Sequence, residues 1–315
     1  MKFFYLFLSL VIFSSCTKEV KIDIPGYQQQ LVVDGNIEAG GHPVVLLSKS
    51  ADIYSQGYLS EYVQSFVADA NVRVVVDGDT FQLEYKLFTD FPLSTQKKFA
   101  EMLRVELDEA QALPINIYSS FDLIGEAGKS YELVIDHSGK RYSGSTYLPL
   151  PTALQELYWK LEPETGEYGY AHAKLADPAN QFDAYKWESK RINTTSAGTP
   201  LDLVFKRGNG GGSHFSDEFF DGLTIDLSYG NPQKKKDSSI VTQYKRYFRY
   251  GDSVVVKFSK LDKKTFDFYK AKASQIENTG NPFATPINIP TNIKGGALGI
   301  WAGYSPTFDT LICVE

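Results

Sequence analysis

The chain is poor in the residues that build redox and metal sites. Its 315 residues include two cysteines, two methionines and four histidines. The four histidines have no partner at the spacing of a zinc site, and no serine lies in the Gly-x-Ser-x-Gly turn of many hydrolases. We therefore predict no metal, no cofactor and no catalytic residue. A hydrolase whose carboxylates meet only in the fold is the least favoured alternative, because such acids need not be close in sequence.

Positive charge is also scarce. The formal net charge is −6, and the run Lys234 to Lys236 is followed at once by Asp237, which is typical of a solvated loop. Nucleic-acid binding requires clustered positive charge. The composition therefore excludes nucleic acid as the expected partner.

No apolar run is long enough to span a bilayer, which takes about 20 residues. The apolar run at the start of the chain, Phe3 to Phe13, has eleven residues and follows the positively charged Lys2, as in a secretory signal peptide. Ser14 and Ser15 precede Cys16, a layout similar to a bacterial lipoprotein signal, in which the cysteine is acylated. We predict a signal peptide over residues 1–15.

The alternative is a disulfide between Cys16 and Cys313, the second cysteine. Lipidation is favoured because Cys16 lies where the leader ends, and because Cys313 follows an apolar, strand-like run that predicts a buried, inert thiol. Residues 16–29 are polar and unpatterned and are predicted to be a tether. Lys18-Glu19 is similar to charged signals for the cell surface, so we expect surface display, with the periplasmic face as the alternative.

Aromatic residues are abundant, with 20 Tyr and 21 Phe, and they favour strands. Residues 71–85 alternate in polarity around Asp77-Gly78, a pair suited to a tight hairpin. A second hairpin is predicted to turn at His137 to Lys140. The sequence predicts a mainly β fold with two antiparallel, immunoglobulin-like β-sandwich domains.

Two proline residues, Pro149 and Pro151, interrupt the strand pattern. We place the domain boundary there, with an N-terminal domain over residues 30–148 and a C-terminal domain over 152–315. Helical spacing predicts a helix over 262–278 and a short amphipathic helix over 94–113. The second helix is predicted to cover the end of a sandwich, and a docking role is the alternative.

Two segments are candidates for contact with a ligand or partner. The loop "FSDEFFDG" combines aromatic and acidic side chains, and "NIKGGALGIWAGY" places aromatic residues beside four glycines. Each has a structural alternative, in which the loop is pinned by Phe side chains and Trp301 packs in the core. The candidate residues are Phe215, Asp217, Phe219, Phe220, Trp301 and Tyr304.

Several blocks together resemble a known family. They include the opening "LVVDGNI", the segments "YSGSTYLPLP" and "FSDEFFDG", and the terminal "NIPTNIKGGALGIWAGY". The chain resembles the Bacteroidota lipoproteins grouped as domain of unknown function 4249, over roughly residues 30–312. The resemblance implies an outer-membrane lipoprotein associated with a TonB-dependent transporter, and it implies no catalytic activity.

The expected function is therefore a non-enzymatic surface lipoprotein, a capture or accessory subunit of TonB-dependent nutrient uptake. Its expected partners are outer-membrane lipid through acylated Cys16, a TonB-dependent transporter, and a cargo such as a glycan, peptide or metal chelate. The main alternative is a stand-alone adhesin that binds glycan or protein. A glycan-binding protein would carry an exposed row of aromatic side chains on one sheet.

Overall fold

The computed structural model describes residues 28–50, 65–91, 93, 95–97, 100, 106–112, 115–207, 214–232, 242–278, 285 and 287–314. The fold is mainly β, as predicted. The strands are β1 (Leu31–Glu38), β2 (Val44–Lys49), β3 (Asn71–Val76), β4 (Asp79–Leu87), β5 (Asn116–Ser119), β6 (Ser130–His137), β7 (Lys140–Tyr147), β8 (Gln155–Leu161), β9 (Tyr168–Ala176), β10 (Ala184–Arg191), β11 (Lys206–Arg207), β12 (His214–Ser216), β13 (Thr224–Tyr229), β14 (Phe248–Arg249), β15 (Ser253–Leu261), β16 (Ile293–Lys294) and β17 (Leu298–Ile312).

The α-helices with continuous described bounds are α1 (Leu107–Ala112) and α2 (Lys263–Glu277), and residues 93, 95–97 and 100 are also helical. Short 3₁₀ helices occupy Phe88–Asp90 and Thr242–Arg246. In the described part of the chain, no helix combines the length and the apolar character that a membrane crossing requires.

The N-terminal half is a β-sandwich whose two layers are connected through β4, which pairs with a strand of each layer. Residues 79–83 of β4 pair with β3, whereas residues 84–87 pair with β5. One layer therefore contains β17, β1, β2 and β5, and the other contains β3, β6, β7 and β16. Apolar side chains from both layers, including Val33, Val74 and Leu133, form one buried cluster between them.

The hairpins predicted from the sequence are present. Asp77 and Gly78 both have positive φ, 52° and 92°, as the tight turn between β3 and β4 requires. Ser138 and Gly139 do the same between β6 and β7, with φ of 50° and 73°. Local turn chemistry therefore sets the register of both hairpins.

The C-terminal half packs a smaller sheet against the large one. The smaller sheet contains β8, β9, β13 and β14. Its inner face buries Trp159 and Leu175 against Trp187 and Phe258 from β10 and β15. Cys313 is fully buried in the same cluster, in agreement with the prediction of a buried thiol.

The last strand, β17, joins the two halves. Residues 298–304 pair with β1 and residues 304–312 pair with β15. The pairing with β1 is parallel, which corrects the expectation of purely antiparallel sheets. Strands from both sides of the predicted boundary at Pro149 and Pro151 therefore belong to one hydrogen-bonded sheet. The division into two domains stays a prediction.

Helix α2 begins and ends as its sequence predicts. The side chain of Asp262 accepts a hydrogen bond from the Thr265 backbone N–H at 2.8 Å, which caps the N-terminus. Thr265, Phe266 and Phe268 are buried, so this face packs on the sheet. The helix lies beside β17 and β12.

The predicted amphipathic stretch 94–113 is helical in part. Helix α1 lies at its C-terminal end, and much of the remainder is outside the described residues. Ala100 and Ala110 are buried against Val44 and Ile117, on the face of β2 and β5 that points away from the sandwich core. These two residues therefore pack on a sheet face, whereas the prediction placed the helix over the end of the sandwich.

The close parallel contact between β1 and β17 depends on Gly299. Its φ is +96°, and an added Cβ would overlap the Val33 carbonyl oxygen. We predict that Gly299→Ala lowers the free energy of unfolding by at least about 2 kcal/mol, because it adds a clash to an unfavourable backbone conformation. Urea unfolding followed by circular dichroism measures this change.

Gly296→Ala is the matched control, since Gly296 has φ +85° and open space around its Cβ position. Its expected cost is about 1 kcal/mol, from the backbone alone. Equal losses in the two variants would show that the contact with Val33 is unimportant.

Candidate functional site

Four of the six candidate residues lie on β12 or in the loop between β12 and β13, and the structure gives them different roles. Phe215 and Phe220 are partly buried and pack against the C-terminal core, with their ring centroids 6.1 Å apart. Asp217 is 3% exposed. Phe219, in contrast, is 89% exposed. The loop is therefore pinned by Phe side chains, as the structural alternative predicts, and it presents one aromatic ring to solvent. Contact of this loop with a ligand or partner stays a prediction.

Hydrogen bonds hold the loop on the adjacent strand. Asp183 and Asp217 form a reciprocal pair, in which the Asp183 N–H donates to Asp217 Oδ2 at 2.8 Å and the Asp217 N–H donates to the Asp183 carbonyl at 3.0 Å. Farther along, the Gly222 N–H donates to Asp177 Oδ2 at 3.0 Å. The backbone on both sides of Phe219 is thus bonded to buried carboxylates or to their main chain.

Three carboxylates meet beneath this loop. Oxygen atoms of Asp177, Asp183 and Asp217 lie within 4.8 Å of one another, and all three residues are buried. Lys260 Nζ contacts Asp183 Oδ2 at 2.7 Å, and the Tyr185 hydroxyl donates to Asp177 Oδ1 at 2.6 Å. The group, which we call the aspartate cluster, consists of Asp177, Asp183, Asp217, Tyr185 and Lys260.

Burial determines the electrostatics of this cluster. It raises the pKa of the Asp217 carboxyl, and the nearby charges of Asp177 and Asp183 raise it further. Burial also raises the pKa of the Tyr185 hydroxyl, which stays protonated and acts as a donor. Three carboxylates at this spacing suit a divalent cation, but Lys260 already provides a cation in contact with Asp183. The cluster is therefore a buried ionic network that fixes the loop.

The other two candidates, Trp301 and Tyr304, are not surface residues, which corrects the prediction that they form a contact platform. Trp301 is 0% exposed, and its indole N–H donates to the Tyr131 carbonyl at 3.1 Å. Tyr304 is 3% exposed, with Lys186 Nζ 4.4 Å from its ring centre. The neighbouring glycines permit close backbone packing around these rings, so the alternative of core packing applies.

Cys16 and most of the predicted tether lie outside the described residues. Lipidation therefore stays a prediction from the sequence.

The sequence indicated only one member of the aspartate cluster, Asp217. Asp177 directly precedes Pro178, a pair typical of a turn, and Lys260 lies in an ordinary strand pattern. Lys260 alternates with Phe258 and Val256 on one face of its strand. A lysine on an otherwise apolar strand face is a weak signal of a buried ion pair. The partners of such a lysine are set by tertiary structure.

Comparison with known families gives one result. The model of the family described as Domain of unknown function (DUF4249) matches residues 17–309. Among curated proteins, none matches the chain.

Removing the cation of the aspartate cluster tests its structural role. We predict that Lys260→Met costs about 3–5 kcal/mol of unfolding free energy at pH 7, because three buried carboxylates lose their counter-charge. The pKa of Asp217 is raised in the folded protein, so the folded state binds this proton more tightly than the unfolded chain. The cost is therefore largest at neutral pH and shrinks as the pH falls. Denaturant unfolding at several pH values measures it.

Lys263→Met is the control, since Lys263 forms an exposed ion pair with Asp267. Its expected cost is below about 1 kcal/mol. A Lys260→Met penalty that does not change with pH would argue against the electrostatic explanation.

Proposed function

Because the chain belongs to the DUF4249 family, we propose that it is a non-enzymatic outer-membrane lipoprotein, a capture or accessory subunit of a TonB-dependent nutrient-uptake system. Acylated Cys16 anchors it, and residues 16–29 form the tether. The folded body meets a transporter or its cargo on the outer surface of the cell.

The observation that supports this proposal best is the exposure of Phe219. A phenylalanine that is 89% exposed leaves its apolar surface in water, and such residues serve as anchors in protein interfaces. Leu223, on the same loop, is 57% exposed, and Phe182, on the adjacent loop, is 42% exposed. Asn180 and Asp221 bond these two loops together at 2.9 Å. An apolar surface on a rigid base suits recognition of a partner.

The anchor supplies the second part of the mechanism. A protein held at the membrane by acyl groups diffuses in two dimensions. This confinement raises the effective concentration of the lipoprotein near a membrane-embedded partner. Weak contact through the Phe219 loop then suffices for a lasting complex. Cargo captured by the body stays close to the transporter pore.

A pull-down from native membranes in mild detergent tests this function. We predict that the tagged wild-type protein recovers a TonB-dependent transporter in near-equal amounts. Cys16→Ala should deplete the transporter through loss of membrane confinement. Phe219→Ala should reduce recovery about tenfold or more, because truncation of a central apolar anchor typically costs at least about 1.4 kcal/mol.

Phe308→Ala is the matched control, since Phe308 is also exposed, at 56%, but lies on β17. It should leave recovery unchanged. Recovery of the lipoprotein alone from wild-type membranes would contradict the accessory role, and equal loss in both phenylalanine variants would contradict the role of the Phe219 loop.

One observation favours the second candidate, a glycan-binding adhesin. The outer face of the smaller C-terminal sheet carries aromatic pairs. Tyr158 stacks on His172 with ring centres 5.2 Å apart, and Tyr170 lies 4.5 Å from Tyr247. Burial lowers the pKa of His172, which keeps its ring neutral at pH 7. Aromatic rings with polar edges suit the mixed apolar and hydroxylated surface of sugars.

Tyr158→Ala tests this alternative on a glycan array. If the sheet face binds glycan, the variant should lose at least about tenfold in affinity, because truncation removes the exposed ring. Tyr147→Ala is the control, since Tyr147 on β7 has a similar exposure, 42% against 44% for Tyr158. Wild-type protein that binds no glycan, or binding that survives in Tyr158→Ala, would exclude the sheet face as a sugar site.

A further inference from the structure

The contact between Lys260 and Asp183 joins two neighbouring strands of the large sheet. Lys260 lies on β15, and Asp183 directly precedes β10, which pairs antiparallel with β15. The ammonium nitrogen and the carboxylate oxygen are 2.7 Å apart, and the two side chains are 5% and 3% exposed. An amine and a carboxyl group are thus held together, out of solvent, within the aspartate cluster.

We propose that Lys260 and Asp183 form a covalent amide, an intramolecular isopeptide bond, after the protein folds. The bond would link Nζ of Lys260 to Cγ of Asp183 and would replace the ion pair that the two side chains form before the reaction. It would tie β15 to the start of β10 beneath the loop that presents Phe219.

The reaction is a condensation that needs no oxidant or cofactor. The Lys260 ammonium gives one proton to a neighbouring carboxylate, and the free amine attacks Cγ of Asp183. The C–N bond forms, and a carboxyl C–O bond breaks. The departing oxygen takes the stored proton and a second proton from the nitrogen and leaves as water. One ammonium and one carboxylate therefore give one amide and one water, and charge is balanced.

The surroundings of the pair fit each requirement of this reaction. Both side chains are shielded from water, at 5% and 3% exposed. The Gln181 side-chain amide donates to both oxygens of Asp183, at 3.1 and 3.0 Å, and can stabilise charge that develops on them. The sheet holds the reacting groups in contact, so the reaction is effectively unimolecular.

A neighbouring acid must carry the proton, and we assign this role to Asp217. Its carboxylate lies within 4.8 Å of that of Asp183. It accepts a hydrogen bond from the Asp183 N–H, whereas Asp177 accepts from both Tyr185 and Gly222. Burial raises the pKa of Asp217, so that it binds a proton more readily than an exposed carboxyl.

Other buried lysines lack this setting. Lys257 contacts Glu38 and Lys186 contacts Glu188, each at 2.7 Å. Within the described ranges, the aspartate cluster is the group in which three carboxylates converge. Lys260 therefore contacts a carboxylate that has two further carboxylates within 4.8 Å, and we confine the proposal to the Lys260–Asp183 pair.

Mass spectrometry of the full-length protein purified from membranes tests the proposal directly. After digestion, we expect a branched peptide that joins the Lys260 segment to the Asp183 segment and weighs one water less than the two segments together. Fragmentation must place the link between these two side chains. Two separate peptides of unmodified mass, with no branched peptide, would overturn the proposal without any variant.

Two variants identify the roles of the groups. Lys260→Arg keeps the charge but removes the reactive amine, so the branched peptide should vanish. Asp217→Asn should lower the cross-linked fraction at least tenfold while the circular dichroism spectrum stays that of the wild type. Undiminished cross-linking in folded Asp217→Asn would overturn its assignment as the proton carrier.

Discussion

The pairing of the final strand with the first is the contact on which the remaining architecture depends. β17 lies parallel to β1 along one half and antiparallel to β15 along the other. Trp301, at the start of this strand, is buried in the N-terminal core, whereas Leu311, near its end, is buried in the C-terminal core. Neither core is complete until the last strand is in place. Contacts so distant in sequence have a high entropic cost of loop closure. We therefore expect the two halves to fold cooperatively and slowly.

The same strand fixes the surroundings of the aspartate cluster. β15 is held between β17 and β10, so Lys260 cannot move far from Asp183. Asp183 in turn bonds to Asp217, which positions the backbone beside Phe219. A continuous set of strand pairings and buried ionic contacts therefore connects the central sheet with an exposed aromatic residue. The exposed loop is an extension of the core, and its conformation is set by the core.

Local features of this fold were predictable, whereas contacts between distant segments were not. The turn at Asp77-Gly78 and helix α2 follow from short-range rules, because positive φ and an Asp N-cap involve adjacent residues. No local pattern predicts that β17 pairs parallel with β1, since the strands are more than 250 residues apart in sequence. Trp301 was also a contact candidate, but the structure buries it, in agreement with the favoured interpretation of core packing. Glycines beside an aromatic residue permit close packing of backbone as readily as an open platform.

Rigidity at the Phe219 loop has a consequence for recognition. A flexible loop must lose conformational freedom when it binds, and that loss reduces affinity. Here the backbone on both sides of Phe219 is already bonded to buried groups, so little freedom remains to be lost. An aromatic side chain has only two rotatable bonds, which keeps its own ordering cost low. A single exposed ring on a fixed base can therefore contribute most of its apolar surface to binding, and membrane confinement compensates for the small size of the contact.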